Sequence, residues 1–276
     1  YEIHERLVGS EMCIRDRFKG DLGNQVFSCA LYYYLRKKYP HEKIYGCMKA
    51  GPSVVVDKYF DLELPKFNKY MDYLLWVLFK FLEVFHINLL RSTDADFKEN
   101  VIFYDGYWQN NKFYDRDNKW LKMKLPQDIG QRNWKILKEM KSTNSVSIHV
   151  RRGDYLKNQK IYGIDTETYY KNAIAKIKEK MDNPVFFYFS NDMDWVRKNM
   201  GDKEHDYYID WNSGDRSYLD MYLMSNAKAN IIANSTFSYW GAYLNENDLV
   251  IYPKQWYNKL SKKESPLIFY DEWIAI

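Results

Sequence analysis

The sequence predicts an α/β protein in two halves, the second of them a Rossmann-like parallel sheet. Three observations carry that expectation. From about residue 141 onward, short apolar runs alternate with amphipathic ones at the spacing of strand, crossover helix and parallel strand. From Phe18, a strand end, a glycine turn and a helix start the same grammar in the first half. A chain of 276 residues, 46% hydrophobic and 28% charged, suits two ordinary domains or one large one.

The elements follow in order. "FKGDLGNQ" reads as a strand end and turn, with a helix through "VFSCALYYYLRKKYP" closed by Pro40. A short strand is expected over Lys43 to Cys47. In "YLLWVLFKFLEVFHINLL", Leu75, Leu78, Phe79, Leu82 and Phe85 recur at helical spacing, and Lys80, Glu83 and His86 interrupt the run. That reads as a partly buried amphipathic helix and not a membrane span. It leaves open a peripheral contact with a membrane surface. "NVIFYDGYWQ" is strand-like and ends the half.

In the second half "SVSIHV" is a strand and "DTETYYKNAIAKIKEKM" a helix. Asp165 or Thr166 caps it, and Tyr170, Ile174, Ile177 and Met181 share a face. "VFFYFS", "DYYID", "ANIIAN" and "LVIYP" are further strands. "MDWVRKNM", "LDMYLMSNA" and "FSYWGAYLN" are the helices between them. The expected boundaries are a first domain over 18–140, with 258–276 packing back on it, and a second over 141–257. Residues 1–17, "YEIHERLVGSEMCIRDR", show neither strand alternation nor a signal-peptide core. They read as a scar of adapter-like sequence, standing outside the fold.

A net charge of +4 and a pI near 8.6 suit an anionic small ligand and give no case for nucleic acid. Cys13, Cys29 and Cys47 are odd in number and unrelated in spacing, and His is scarce. No disulfide framework or zinc site is expected, and a reducing cytoplasm is the expected location. Aromatic residues make up 18% of the chain. Core packing explains most of them, and stacking on sugars or bases is the functional alternative.

Ligands of open parallel sheets gather at the carboxyl ends of strands. "SVSIHVRRGD" delivers His149 and Arg151 to such an edge on one strand face. A guanidinium there matches a diphosphate, because its planar fork donates twice and keeps its charge. An Arg152–Asp154 pair pinning the turn is the structural alternative. In "IIANSTFSYWGA", Ser235, Thr236 and the first amides of a helix form an anion site, although capping by Asn234 or Ser235 explains the hydroxyls equally well. "FSND", Ser190 to Asp192, ends another strand with a carboxylate able to accept from a guanine edge. "GDLGNQ", with Gly23 and Asn24, is a further glycine turn before a helix.

Taken together, "GDLGNQVF", "YDGYWQ", "VSIHVRRGDY", "FSND" and "DMYLMSNAKANIIANSTFSYWGAYLN" resemble the GDP-fucose-dependent α-1,2-fucosyltransferases, in the order found there, over roughly residues 18–256. The resemblance implies a GT-B-like fold of two Rossmann-like domains facing a cleft, the nucleotide on the C-terminal one. It implies inverting transfer of L-fucose from GDP-β-L-fucose to the 2-hydroxyl of a terminal galactoside, without a metal or other cofactor. Position by position, Arg151 holds the diphosphate. His149, Arg152, Ser190, Asp192 and Asn234 line the donor, with Ser235 and Thr236 at phosphate and Gly23 and Asn24 closing over it. Asp154 is the candidate base. The acceptor is expected near Asp105, Tyr107, Trp108 and Gln109.

The chain departs from that family's usual pattern at Asp21, where glycine is common, and at Asn191, where an aspartate is common. Three other readings compete. The first is a metal-dependent nucleotide-sugar transferase using one of the pairs Asp94/Asp96, Asp115/Asp117 or Asp192/Asp194. The others are a non-catalytic nucleotide- or glycan-binding module, and a fucosyltransferase of α-1,6 type.

Overall fold

The computed structural model describes residues 13–48, 55–67, 69–85, 87, 90–117, 119–164, 166–201, 204–261 and 263–276. His86 and Asp165, read above as a breaker and a cap, lie outside them, as do residues 1–12. The chain divides into two compact units, Tyr1–Lys124 and Leu125–Ile276.

In the first unit β1 (Cys13–Phe18), β2 (Lys43–Met48), β3 (Lys66–Phe67), β4 (Arg91–Ser92) and β5 (Phe103–Tyr104) form one sheet. Their order is β3-β2-β1-β5-β4, and every pairing is parallel. The expectation that residues up to 17 stand outside the fold is therefore corrected for Cys13–Arg17. They make the central strand, paired residue for residue with Lys43–Cys47. Helix α1 (Leu22–Lys38) follows β1 and buries Val26, Phe27, Ala30, Leu31 and Leu35. Its last turn carries Arg36, Lys37 and Lys38, the charge that a helix carboxyl end favours. Gly20 makes the turn into it at φ +71°, where a Cβ would stand 2.5 Å from Asn24 Nδ2. Helix α2 (Lys69–Val84) puts Leu75, Phe79 and Leu82 into a core with Cys47 and Phe103.

The second unit holds β6 (Asn144–Val150), β7 (Pro184–Ser190), β8 (Tyr207–Ile209), β9 (Ala229–Ile231), β10 (Val250–Tyr252) and β11 (Ile274–Ala275). The sheet order is β11-β10-β9-β6-β7-β8, again wholly parallel. Parallel strands covered by helices read as continuous apolar runs, and Val146, Ile148 and Val150 are fully buried with Tyr170 and Ile177 of α4 (Thr166–Lys180). The longer helices of this unit are also α3 (Gln131–Ser142), α5 (Met193–Asn199), α6 (Tyr218–Met224) and α7 (Thr236–Tyr243).

Two domain expectations are corrected here. Helix α3 belongs to the second unit: it packs on β6 and α6, and Asn133 joins it to Trp211 and Asn212 through bonds of 2.8–3.0 Å. The tail 258–276 does not return to the first unit. Ile274 and Ala275 extend the second sheet beside β10, and Tyr239 donates to the Ile268 carbonyl at 3.0 Å.

Each sheet has one topological switch point, where the strand order reverses. In the second unit it falls between β6 and β9, and in the first between β1 and β5. Open parallel sheets place ligands at the carboxyl ends of those strands.

Candidate functional site

At the second unit's switch point the sequence carries "HVRRGDY" after β6 and "NSTF" after β9. The parallel register pairs Ile148 with Ile231 and Val150 with Ser190, so both loops and the "FSND" turn leave the sheet along one edge. Tyr155 binds two of the loops directly, its hydroxyl donating to the Asn234 carbonyl at 2.9 Å.

Arg151 is partly exposed and is held by Asp154, with contacts of 2.8 Å at Nε and 3.0 Å at Nη2. The turn pair anticipated between Arg152 and Asp154 is thus replaced. Arg152 turns the other way, its Nε 3.3 Å from Asp192 and its guanidinium 4.0 Å above the Trp195 ring. Asp192 also accepts from the Trp195 amide at 3.4 Å and so caps α5. Asp154 was expected to be a base. Its carboxylate meets Arg151 and accepts from Asn191 Nδ2 at 3.1 Å, contacts that hold the Arg151 guanidinium in place.

Asn191, noted in the sequence only as a departure from aspartate, has a role that the sequence did not show. Its Oδ1 accepts from the amides of Arg152 at 2.9 Å and Gly153 at 3.2 Å, while its amide reaches Asp154. One side chain therefore fixes the whole "RRGD" turn, and a Cβ on Gly153 would lie 2.8 Å from it. The signal available in the sequence was the departure from aspartate at this position. A carboxylate could accept both amides but could not donate to Asp154. Ser190 is also structural: its Oγ donates to the Val150 carbonyl at 2.8 Å and accepts from the Asp192 amide at 2.9 Å.

His149 is 5% exposed, its Nδ1 has no hydrogen-bond partner among the described residues, and its ring lies 5.7 Å from that of Phe237. Burial, together with the Arg151 charge, pushes its pKa down to about 3, so the imidazole is neutral near pH 7. Ser235 occupies the cap position of α7 without a side-chain cap bond. The capping alternative therefore does not account for its hydroxyl. Asn234 is engaged elsewhere, donating to the Trp256 and Tyr162 carbonyls at 2.9 and 3.2 Å. Thr236 begins the helix, half-buried. A guanidinium, an uncommitted hydroxyl and a helix amino end together suit an anion.

The first unit's switch point is built around a carboxylate. Asp105, directly after β5, has no exposed side-chain surface and contacts Arg17 at 3.2 Å, Arg91 at 2.6 Å and Lys19. Burial alone would raise its pKa. The charges of Lys19, Arg17 and Arg91 outweigh that and hold it below the ordinary carboxylate range. Asp16 is fully buried with one bond, from Trp108 Nε1 at 3.3 Å, and burial pushes its pKa well up. Trp108, 1% exposed, sits at φ +57° because Asp94 accepts the amides of Tyr107 and Trp108 at 2.8–2.9 Å. Asp105 and Trp108, expected to read an acceptor, are therefore core residues. Tyr107 is exposed, and Gln109 donates to Asn24 Oδ1 at 3.1 Å, tying the "YDGYWQ" and "GDLGNQ" loops together. Gly23 lies inside α1 and is buried, and the turn glycine is Gly20. Among the described residues no group of three or more His, Cys, Asp or Glu could hold a metal ion. Of the D-x-D candidates, Asp94 and Asp192 are engaged in the contacts given above.

Two units, each on a wholly parallel sheet, make an α/β structure of Rossmann type, and the comparisons extend this to a GT-B-like fold. The chain belongs to glycosyl transferase family 11, whose pattern matches residues 82–276. It is 38% identical over 178 residues to an alpha-1,2-colitosyltransferase of Escherichia coli, covering 61% of this chain and 60% of that protein. It is 31% identical over 140 residues to galactoside alpha-(1,2)-fucosyltransferase 1 of Aotus azarae, covering 48% and 38% of the two chains. The chain thus spans 60% or less of the length of these curated relatives. Among solved structures, the Bradyrhizobium fucosyltransferase NodZ shares the fold at 13% identity and a TM-score of 0.52, over 86% of this chain and 93% of that one. The Escherichia coli ADP-heptose heptosyltransferase II does so at 10% and 0.50, over 96% and 90%.

Proposed function

We propose that this family 11 glycosyltransferase moves L-fucose from GDP-β-L-fucose to the 2-hydroxyl of a terminal galactoside, with inversion and without a metal. The observation that carries the reading is the second unit's switch point, where Arg151 and the uncommitted Ser235 hydroxyl at the start of α7 leave one sheet edge. The diphosphate binds there, with the neutral His149 and the Arg152–Trp195–Asp192 wall lining the donor. Breaking the fucosyl–phosphate bond leaves an oxocarbenium-like carbon and adds charge to the diphosphate. A fixed guanidinium aimed at that charge is worth about 3–4 kcal/mol in the transition state. Asp154 and Asn191 supply the fixing, so Arg151 need not reorganise as charge develops. With positive charge from Arg151 and the helix end, no cation is required at the phosphates. On the acceptor side, Tyr107 and Gln109 are the residues offered to a sugar.

The alpha-1,2-colitosyl relative supports a second reading of the donor. Colitose is fucose without its 3-hydroxyl, so one site serves either sugar unless a protein group binds that hydroxyl. The test is turnover of GDP-fucose and GDP-colitose with lactose as acceptor, in EDTA. Preferred release of GDP from GDP-fucose, with an α-1,2-linked product, supports the first reading. A reversed preference moves the donor to the 3-deoxy sugar. No transfer from either sinks both.

A further inference from the structure

Helix α2 is apolar on both sides. Its inner side chains Leu75, Phe79 and Leu82 are 8%, 0% and 5% exposed and lie in the core of the first unit. Its outer face and the turn beyond it leave Tyr73, Leu74, Val77, Leu78, Phe81, Val84, Phe85 and Ile87 between 37% and 67% exposed. Most of the large apolar side chains exposed among the described residues fall in this one stretch, so the exposure is concentrated and calls for a covering partner. A helix apolar all round is ordinarily covered all round.

Three features identify what covers it. Leu74, Leu78, Phe81 and Phe85 follow one another at intervals of four, three and four, the seam that packs knobs into the holes of another helix. Val77 and Val84, seven apart, widen that seam, and the Phe81 and Phe85 rings already lie 4.5 Å apart along it. The charged side chains described between Tyr73 and Ile87 are Lys80 and Glu83, which neutralise each other at 2.7 Å. Among the described side chains the outer face thus carries no net charge, whereas an interfacial helix meets anionic lipid headgroups with a basic polar face. Finally, eight half-exposed side chains of this size present an area on the order of 800 Å², what one partner contributes to a standard protein interface.

We propose that this face is the interface of a two-fold symmetric dimer, α2 of one copy packing along α2 of a second. A self-complementary seam of uncharged residues is what an isologous contact requires, since the same patch must serve both partners.

Sedimentation velocity on the full chain tests it. The wild type is expected to sediment as a dimer, and Leu78→Lys/Phe81→Lys is expected to weaken self-association at least about 100-fold, because each lysine would be buried against its own copy. Both positions point outward, so circular dichroism and the melting temperature should be unchanged. Should the double variant fail to fold, Val84→Lys at the far end of the seam gives the same reading. A wild type that stays monomeric at about 100 μM overturns the proposal, as does a dimer that none of these substitutions weakens. Co-sedimentation of a monomeric wild type with phosphatidylethanolamine–phosphatidylglycerol vesicles, abolished by the same substitutions, would assign the face to lipid and overturn it equally.

Discussion

Replacing Asp105 with asparagine keeps the shape of the side chain and removes its charge. In the folded protein that carboxylate is fully covered and faces Arg17, Lys19 and Arg91, whose side chains are 7%, 22% and 11% exposed. None of the three has much water to fall back on. Breaking a buried ion pair from one side costs about 3–5 kcal/mol, because a buried charge is left uncompensated. Asp105→Asn should therefore lower the melting temperature of the first unit by about 9–25 °C, taking about 3–5 °C per kcal/mol for a unit of this length. Circular dichroism at pH 7 reads the shift. Adding Arg91→Met should recover part of it, since the double variant removes charge from both sides. The pH dependence has a definite sign. The folded pKa of Asp105 is depressed, so its stabilisation is complete above the unfolded value of about 3.9 and is lost as pH falls through the folded one. Asp105→Asn should lack that acid-side loss. A shift below about 3 °C, or no recovery in the double variant, would refute the view that this carboxylate organises the first unit's switch point.

Other consequences follow from particular contacts. Asn191→Ala should release the "RRGD" turn and weaken GDP binding about 10- to 100-fold with little change in melting temperature, read by calorimetry, whereas Asn191→Asp should recover only part of it. His149 stays neutral in the folded protein down to about pH 3. Between pH 6.5 and 3 the unfolded chain therefore binds a proton that the folded one refuses. Stability should fall by about 1.4 kcal/mol per pH unit in that window from this group, and His149→Phe should flatten the slope in urea titrations. Gly20→Ala should destabilise by about 1–2 kcal/mol, since φ +71° is costly for alanine and Asn24 must move aside.

The second sheet was legible because its signals are local. Val146, Ile148 and Val150 alternate within one strand, and glycine, hydroxyl and arginine cluster where strands end. Strand β1 was not legible, because "CIRDRF" carries three charges in six residues. The partners that make them tolerable, Asp105 for Arg17 and Trp108 for Asp16, lie 88 and 92 residues away. The same distance hid the roles of Asp105 and Trp108, whose strand-like motif suggests sugar-reading side chains yet folds into the core. Within the site, His149 and Arg151 could be placed at the sheet edge from strand period alone. The choice of Asp154 for Arg151 and Asp192 for Arg152 is set by the turn, and the turn is set by Asn191 on a different strand end. Strand β11 is two residues long and lies at a sheet edge, too short a run to have a period.

The central claim is that the edge after β6 binds a nucleoside diphosphate through Arg151. Calorimetric titration of the protein with GDP in EDTA, for the wild type and for Arg151→Ala, tests it most directly. The account predicts one site in the wild type without added metal, and affinity at least about 100-fold weaker in Arg151→Ala, the loss of a charge-assisted bidentate contact. A well-folded wild type that binds no GDP, or an Arg151→Ala variant that binds it as tightly, would contradict the account.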